Sequence, residues 1–130
     1  MKKLLAIFAM VLMFLQLNAE EVVDLKEPSS EVKELMKKHK LKEVDFDYVK
    51  KMIGVGNRGA VEAILIDARP QVKYQRGTIP SSLNIADTDF EEGYKQIADI
   101  SKDKEIIVFC GGYACTKSAI VADLLIKKGH

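Results

Sequence analysis

The chain has 130 residues, 48% hydrophobic and 30% charged, with three Pro and no Trp, the profile of an ordinary globular protein. Twenty Lys and Arg against nineteen Asp and Glu leave a formal charge of +1, so no strong field draws it to nucleic acid or acidic lipid, and no nucleic-acid partner is expected. The charge is unevenly placed: residues 1–19 carry two Lys, no acid and a largely apolar remainder.

Met1-Lys2-Lys3, the apolar run Leu4 to Leu17 and the ending Leu17-Asn18-Ala19 have the layout of a secretory signal peptide. A helix over that run spans roughly 21 Å, short of the ~30 Å hydrocarbon core, so residues 1–19 read as a cleaved leader. The mature protein is expected to be exported, to the periplasm, with no stable membrane insertion. Removing two of the twenty basic residues leaves eighteen against nineteen acidic, formally −1.

Residues 20–44 read as a lead-in. A polar linker from Glu20 breaks at Pro28-Ser29-Ser30, and Val32, Leu35 and Met36 then take helical spacing with Ser30 as the N-cap. Lys37 to Lys40 reads as a solvated helix end, with His39 exposed. A second short helix is expected from Asp45 to Ile53, with Phe46, Val49 and Ile53 on one face. Gly54-Val55-Gly56-Asn57-Arg58-Gly59 spells G-x-G-x-x-G, yet a dinucleotide fingerprint follows a strand and opens a helix. This one follows a helix and leads into a strand, so it reads as a glycine turn.

Ala63 to Asp67 is a buried-strand pattern, and Ala68-Arg69-Pro70 opens a short helix ending at Gly77. Thr78-Ile79-Pro80 and Leu83-Asn84-Ile85 suggest a brief strand or extended turn. Residues 89–100 read as an acidic helix with Phe90, Tyr94 and Ile97 inward. Lys102-Asp103-Lys104 turns into a second buried strand, Glu105 to Phe109, which delivers Cys110. An apolar helix from Thr116 to Lys128 closes the pattern. Continuous apolar strands alternating with helices indicate a parallel α/β sheet.

The two cysteines, Cys110 and Cys115, are too close in sequence to staple distant segments. Zinc takes about four ligands, and only His39 and His130 stand elsewhere as histidines, so no metal is expected. The spacing is not C-x-x-C either. Chemistry at the cysteines themselves remains. Cys110 ends a buried strand, where open α/β sheets place their ligands. Gly111 and Gly112 let the backbone turn through positive φ, and a helix amino terminus follows directly. Such a nest of amides favours a thiolate and lowers a Cys pKa from ~8.5 toward ~3.5–7.5.

Three segments together are specific: Leu65-Ile66-Asp67-Ala68-Arg69, Tyr74 to Ile85, and Ile107-Val108-Phe109-Cys110. They resemble the L-[IV]-D-x-R strand end, the Y-x-x-G-H-I-P-G-A-x-N segment and the catalytic cysteine loop of the rhodanese family, over roughly residues 45–130. The resemblance implies a rhodanese-like parallel sheet with helices on both faces. It also implies a thiosulfate sulfurtransferase, or a related one, working through a Cys110 persulfide without metal or organic cofactor. Carried over by position, Cys110 is the nucleophile, Gly111, Gly112, Tyr113, Ala114 and Cys115 form its substrate-binding loop, and Thr116 and Lys117 extend it. Asp67 and Arg69 would brace that loop. The implied partners are a small sulfur donor and a thiophilic acceptor: cyanide in an assay, a thiol or a protein cysteine in a cell.

The chain departs from the family pattern in several places. Thr78 stands for a frequent His, and Ser81-Ser82 for Gly-Ala. Cys115 stands where many members carry a basic residue, which leaves Lys117 as the nearest cation for an oxyanion donor. The run from Cys110 to Ser118 is more similar to an exported subgroup with a C-x-G-x-x-C-x-x-S loop. The family domain continues into a strand beside the cysteine strand and a final helix. The chain stops at His130, so an incomplete C-terminal end is expected, or else an N-terminal segment or a second copy supplies that strand. Phosphate or arsenate chemistry of the C-x5-R kind is disfavoured, because Thr116 stands where the gripping Arg belongs. Two rivals stay open: a dithiol redox or persulfide-relay protein in which Cys115 resolves Cys110, and a non-catalytic binding module.

Overall fold

The computed structural model describes residues 27–53 and 62–130. The expected leader and the 54–59 glycine turn lie outside the described residues.

Three strands form one parallel sheet: β1 (Ala63–Asp67), β2 (Leu83–Asn84) and β3 (Glu105–Phe109), in the order β2-β1-β3. Central β1 pairs along its whole length with β3, from Ala63 opposite Glu105 to Asp67 opposite Phe109, and at its end with β2 through Ile66 and Leu83. Its alternation sorts side chains to two buried faces. Ala63 and Leu65 join Ile107, Met52 and Ile53 in one cluster. Ile66 joins Ala68, Ile85, Phe90, Ile97, Val121 and Leu125 in the other. With both faces covered the strand reads as an unbroken apolar run, and burying a side chain such as Ile66 contributes roughly 1.5–3 kcal/mol.

Helix α1 (Ser30–Lys38) is capped one residue earlier than expected: Ser29, not Ser30, accepts from the Val32 amide at 3.3 Å. The helix belongs to the folded body. Val32 is buried, and His39, which was expected to be exposed, pairs with Asp123 at 2.7 Å with its side chain only 17% accessible. Its partner lies 84 positions away in the sequence, a contact that local charge patterning does not reveal. Helix α2 (Phe46–Met52) is capped by Asp45, which accepts from Tyr48 N. Its buried face is Met52 with the following Ile53, whereas Phe46 is 72% exposed beneath Lys50. Phe46 is the first helical residue, so the expected face extends one turn too far.

Helix α3 (Gln71–Arg76) follows Pro70 and ends at Gly77, as the sequence suggests. The acidic helix expected over 89–100 is shorter, a 3₁₀ turn at Asp87–Asp89 followed by α4 (Phe90–Tyr94) and then turns. The Gln96 side chain donates to the carbonyls of Gly93 and Asn84, and the Ile97 amide bonds Tyr94 O three residues back. The i→i−4 ladder therefore stops there, although Phe90 and Ile97 still reach the core. Gly93 lies against Ile85, where an added Cβ would come within 3.0 Å of Cγ2 and 3.1 Å of the Ile85 Cα. Gly93→Ala is expected to cost about 1–3 kcal/mol, the usual range for overpacking, read as a lower denaturation midpoint. An unchanged midpoint would show that this contact yields freely.

Helix α5 (Lys117–Lys127) packs on the sheet through Ala119, Val121 and Leu125 and on α1. Among the described residues β3 has no strand neighbour on the side away from β1. A cavity of about 520 Å³ runs along that edge, between α1, residues 41–44 and the first turns of α5, and reaches Cys110 and Cys115.

Candidate active site

The strand ends of β1 and β3 bring two clusters together. Asp67, fully buried, ends β1. It accepts from Arg69 N at 2.9 Å, from Arg69 Nε at 3.0 and 3.1 Å, from Arg69 Nη2 at 2.6 Å and from Thr78 Oγ1 at 2.8 Å. Burial pushes the Asp67 carboxyl up, but the Arg69 and Thr78 hydrogen bonds outweigh it and leave the pKa below the ordinary value. Arg69 also donates to Gly77 O at 2.7 Å, and Thr78 meets Ser82 Oγ at 2.7 Å.

The bracing role expected of Asp67 and Arg69 is therefore directed elsewhere. Their direct hydrogen bonds hold the 77–82 turn, and the coupling to the cysteine strand is by backbone, Ala68 N to Phe109 O at 2.8 Å. Arg69 still reaches Cys110 as a charge, since a Cys110 thiolate would raise the guanidinium pKa as the smallest of its influences, after Asp67 and burial.

Cys110 follows β3 directly and is half-buried, as is Cys115. The loop between them turns at Gly112, whose φ of +155° suits only glycine, and Cys115 N donates back to Gly112 O at 3.0 Å. Gly111 has no positive φ, so one glycine rather than two makes the turn. Tyr113 is exposed, and its carbonyl accepts from Ser29 N at 2.9 Å, which ties the start of α1 to the loop. Ala114 is exposed, and the Thr116 side chain gives α5 no capping bond. The sulfurs take that place: the Lys117 amide bonds Cys115 and the Ser118 amide bonds Cys110.

The amide cradle expected around Cys110 is thus mostly around its neighbour. Cys110 Sγ donates to Cys115 O at 3.2 Å and stands 3.3 Å from Ser118 Oγ, with the Cys115 side chain as its neighbour. Burial, then the Cys115 contact, push the Cys110 thiol up, and the Ser118 bonds only partly offset this. Burial also raises Cys115, but the Cys110 thiol, the amides of Gly111 and Lys117 and the Lys117 charge more than reverse it. The two shifts run in opposite directions, Cys110 up and Cys115 down, so Cys115 is the more readily ionised of the pair. The expectation of a lowered Cys110 pKa is corrected accordingly: the strand end buries its sulfur, while the turn aims the free amides one half-loop further on.

Lys117 is likewise not a free cation. Its Nζ lies 3.0 and 3.3 Å from the Asp87 oxygens, a pairing sequence reading missed because nothing local marks Asp87. Ser118 was also missed as a contact to Cys110, although its place in the C-x-G-x-x-C-x-x-S pattern is a signal. Among the described residues no three His, Cys, Asp or Glu side chains gather as metal ligands.

Residues 45–130 match the family model for the rhodanese-like domain. The chain is also 34% identical over 58 residues to an HTH-type transcriptional regulator of Mycobacterium tuberculosis, covering 45% of this chain and 24% of the regulator. It thus spans about a quarter of the length of that curated relative. A parallel sheet carrying a cysteine loop at the end of β3, matched over two thirds of the sequence, places the chain in the rhodanese-like domain family.

Proposed function

We propose that the protein is a sulfurtransferase that moves a sulfane sulfur from thiosulfate or a similar donor to a thiophilic acceptor through a persulfide on Cys110. The observation that carries this reading is the cysteine loop itself, with Cys110 at the end of β3, open to the cavity and 3.3 Å from Ser118 Oγ. Cys110 Sγ gives up its proton to solvent and attacks the outer sulfur of thiosulfate. The sulfur–sulfur bond of the donor breaks, and sulfite leaves with the bonding pair. The Ser118 hydroxyl, which accepts from the Cys110 thiol at 3.3 Å, turns to donate to the persulfide anion. A thiophilic acceptor then takes the outer sulfur and returns Cys110.

Lys117 is held by Asp87, so a donor dianion has to share that cation. The apolar walls of the cavity, among them Val32, Met36, Ile106, Val108 and Ala122, suit an acceptor with an apolar body. The basic start and apolar run of residues 1–19 support an exported protein, whose acceptor would then be a thiol outside the cytoplasm.

Intact mass after incubation with thiosulfate tests the reading. Cys115→Ser, which keeps Cys110, is expected to gain one sulfur atom, and Cys110→Ser none. If Cys115→Ser takes up no sulfur, the chain is a binding module with a thiol and not a sulfurtransferase.

A further inference from the structure

Cys115 is a nucleophile that the transfer described above does not use. Three observations give it a role. The turn closed by Cys115 N to Gly112 O folds the loop back, so that the Cys115 carbonyl is 3.2 Å from Cys110 Sγ and the two cysteine side chains interact as neighbours. The atom that lies against Cys115 is Cys110 Sγ, which becomes the inner atom of the persulfide. Both cysteines, finally, line the same cavity and are open to a reagent that enters it.

We propose that Cys115 resolves the Cys110 persulfide by attacking its inner sulfur, so that the sulfane sulfur leaves as hydrosulfide and a Cys110–Cys115 disulfide remains. This rests on the persulfide reading and adds a destination for the sulfur. In the step, the Cys115–Cys110 sulfur bond forms and the bond from Cys110 Sγ to the outer sulfur breaks. The outer sulfur departs with the bonding pair and takes the Cys115 thiol proton. One negative charge stands on each side. An external dithiol then reduces the disulfide by exchange and is itself oxidised, which returns both thiols. The complete cycle converts thiosulfate and a dithiol into sulfite, hydrogen sulfide and an oxidised dithiol.

Concentration decides which nucleophile meets the persulfide first. A thiol held in reacting contact competes at an effective molarity on the order of 10⁵ M when well oriented, far above any free thiol. The first acceptor is therefore Cys115, and the external substrate class is a dithiol reductant rather than a sulfur-accepting monothiol.

The test uses the reduced full-length protein with excess thiosulfate and no other thiol, following sulfide release and intact mass together. Wild type is expected to release one hydrosulfide per chain, retain no sulfur and lose two hydrogens, with both cysteines closed to alkylation. Adding a dithiol restarts sulfide release. Cys115→Ser is expected to retain its extra sulfur and release none. The proposal is overturned if wild type holds the extra sulfur as long as Cys115→Ser does. It is equally overturned if the disulfide forms at the same rate without thiosulfate. Failure of Cys115→Ser to take up sulfur is a different result, and it removes the persulfide reading itself.

Discussion

Asp67→Ala is expected to cost about 3 kcal/mol of folding stability, the lower end of the range for removing one partner of a buried ion pair. Asp67 is inaccessible to solvent and is the acceptor for Arg69 and Thr78. Its removal leaves the Arg69 guanidinium with only Gly77 O and part of its surface in water, and leaves Thr78 with Ser82 alone. Because Arg69 keeps 22% of its side chain accessible, the upper end of the range is not reached. Urea denaturation of both proteins at neutral pH reads the difference directly, and a loss under about 1 kcal/mol would show the pair to be surface-like.

The same pair sets an acid limit. The folded-state pKa of Asp67 lies below its unfolded value, because its hydrogen bonds to Arg69 and Thr78 outweigh burial. Its contribution is therefore present in full above the ordinary carboxylate value of about 3.9 and fades as pH falls through the lower folded value. Asp67→Asn is expected to flatten that part of the stability–pH curve. A curve of unchanged slope would place the acid sensitivity on other carboxylates.

Legibility followed the range of the interactions. The parallel sheet could be read from the runs at 63–67 and 105–109, because strands buried on both faces must be apolar at every position. The position of Cys110 at a strand end, and Pro70 and Gly77 around α3, are local facts that sequence carries well. What could not be read are the pairings made across the fold: His39 with Asp123, Lys117 with Asp87, and Ser29 with Tyr113. Each changes a residue from free to engaged. The polarity of the thiol pair was hidden for the same reason. Which sulfur receives the Gly111 and Lys117 amides depends on the turn at Gly112, and the presence of two glycines does not specify that turn.

That polarity predicts the order in which the thiols react. With the reduced resting protein near neutral pH, limiting iodoacetamide is expected to alkylate Cys115 before Cys110. The preference should be on the order of tenfold, the equivalent of one hydrogen bond to a charged group at roughly 1.5 kcal/mol. The reagent selects thiolate, and the Cys115 pKa lies below its ordinary value because the Cys110 thiol, two amides and the Lys117 charge together outweigh its burial. Two substitutions separate these contributions. Lys117→Met removes the charge and one ion pair but leaves the Lys117 amide, so Cys115 labelling should slow and its pH profile move upward. Cys110→Ser exchanges a close thiol donor for a shorter hydroxyl, and the Cys115 profile should again move upward. Peptide mass mapping across a pH series gives both profiles, and in wild type the Cys110 signal should rise only at higher pH. Labelling of Cys110 first would reverse the proton's place in the pair. Cys110 would then be the more readily ionised thiol, and Cys115 would keep its proton until the resolving step.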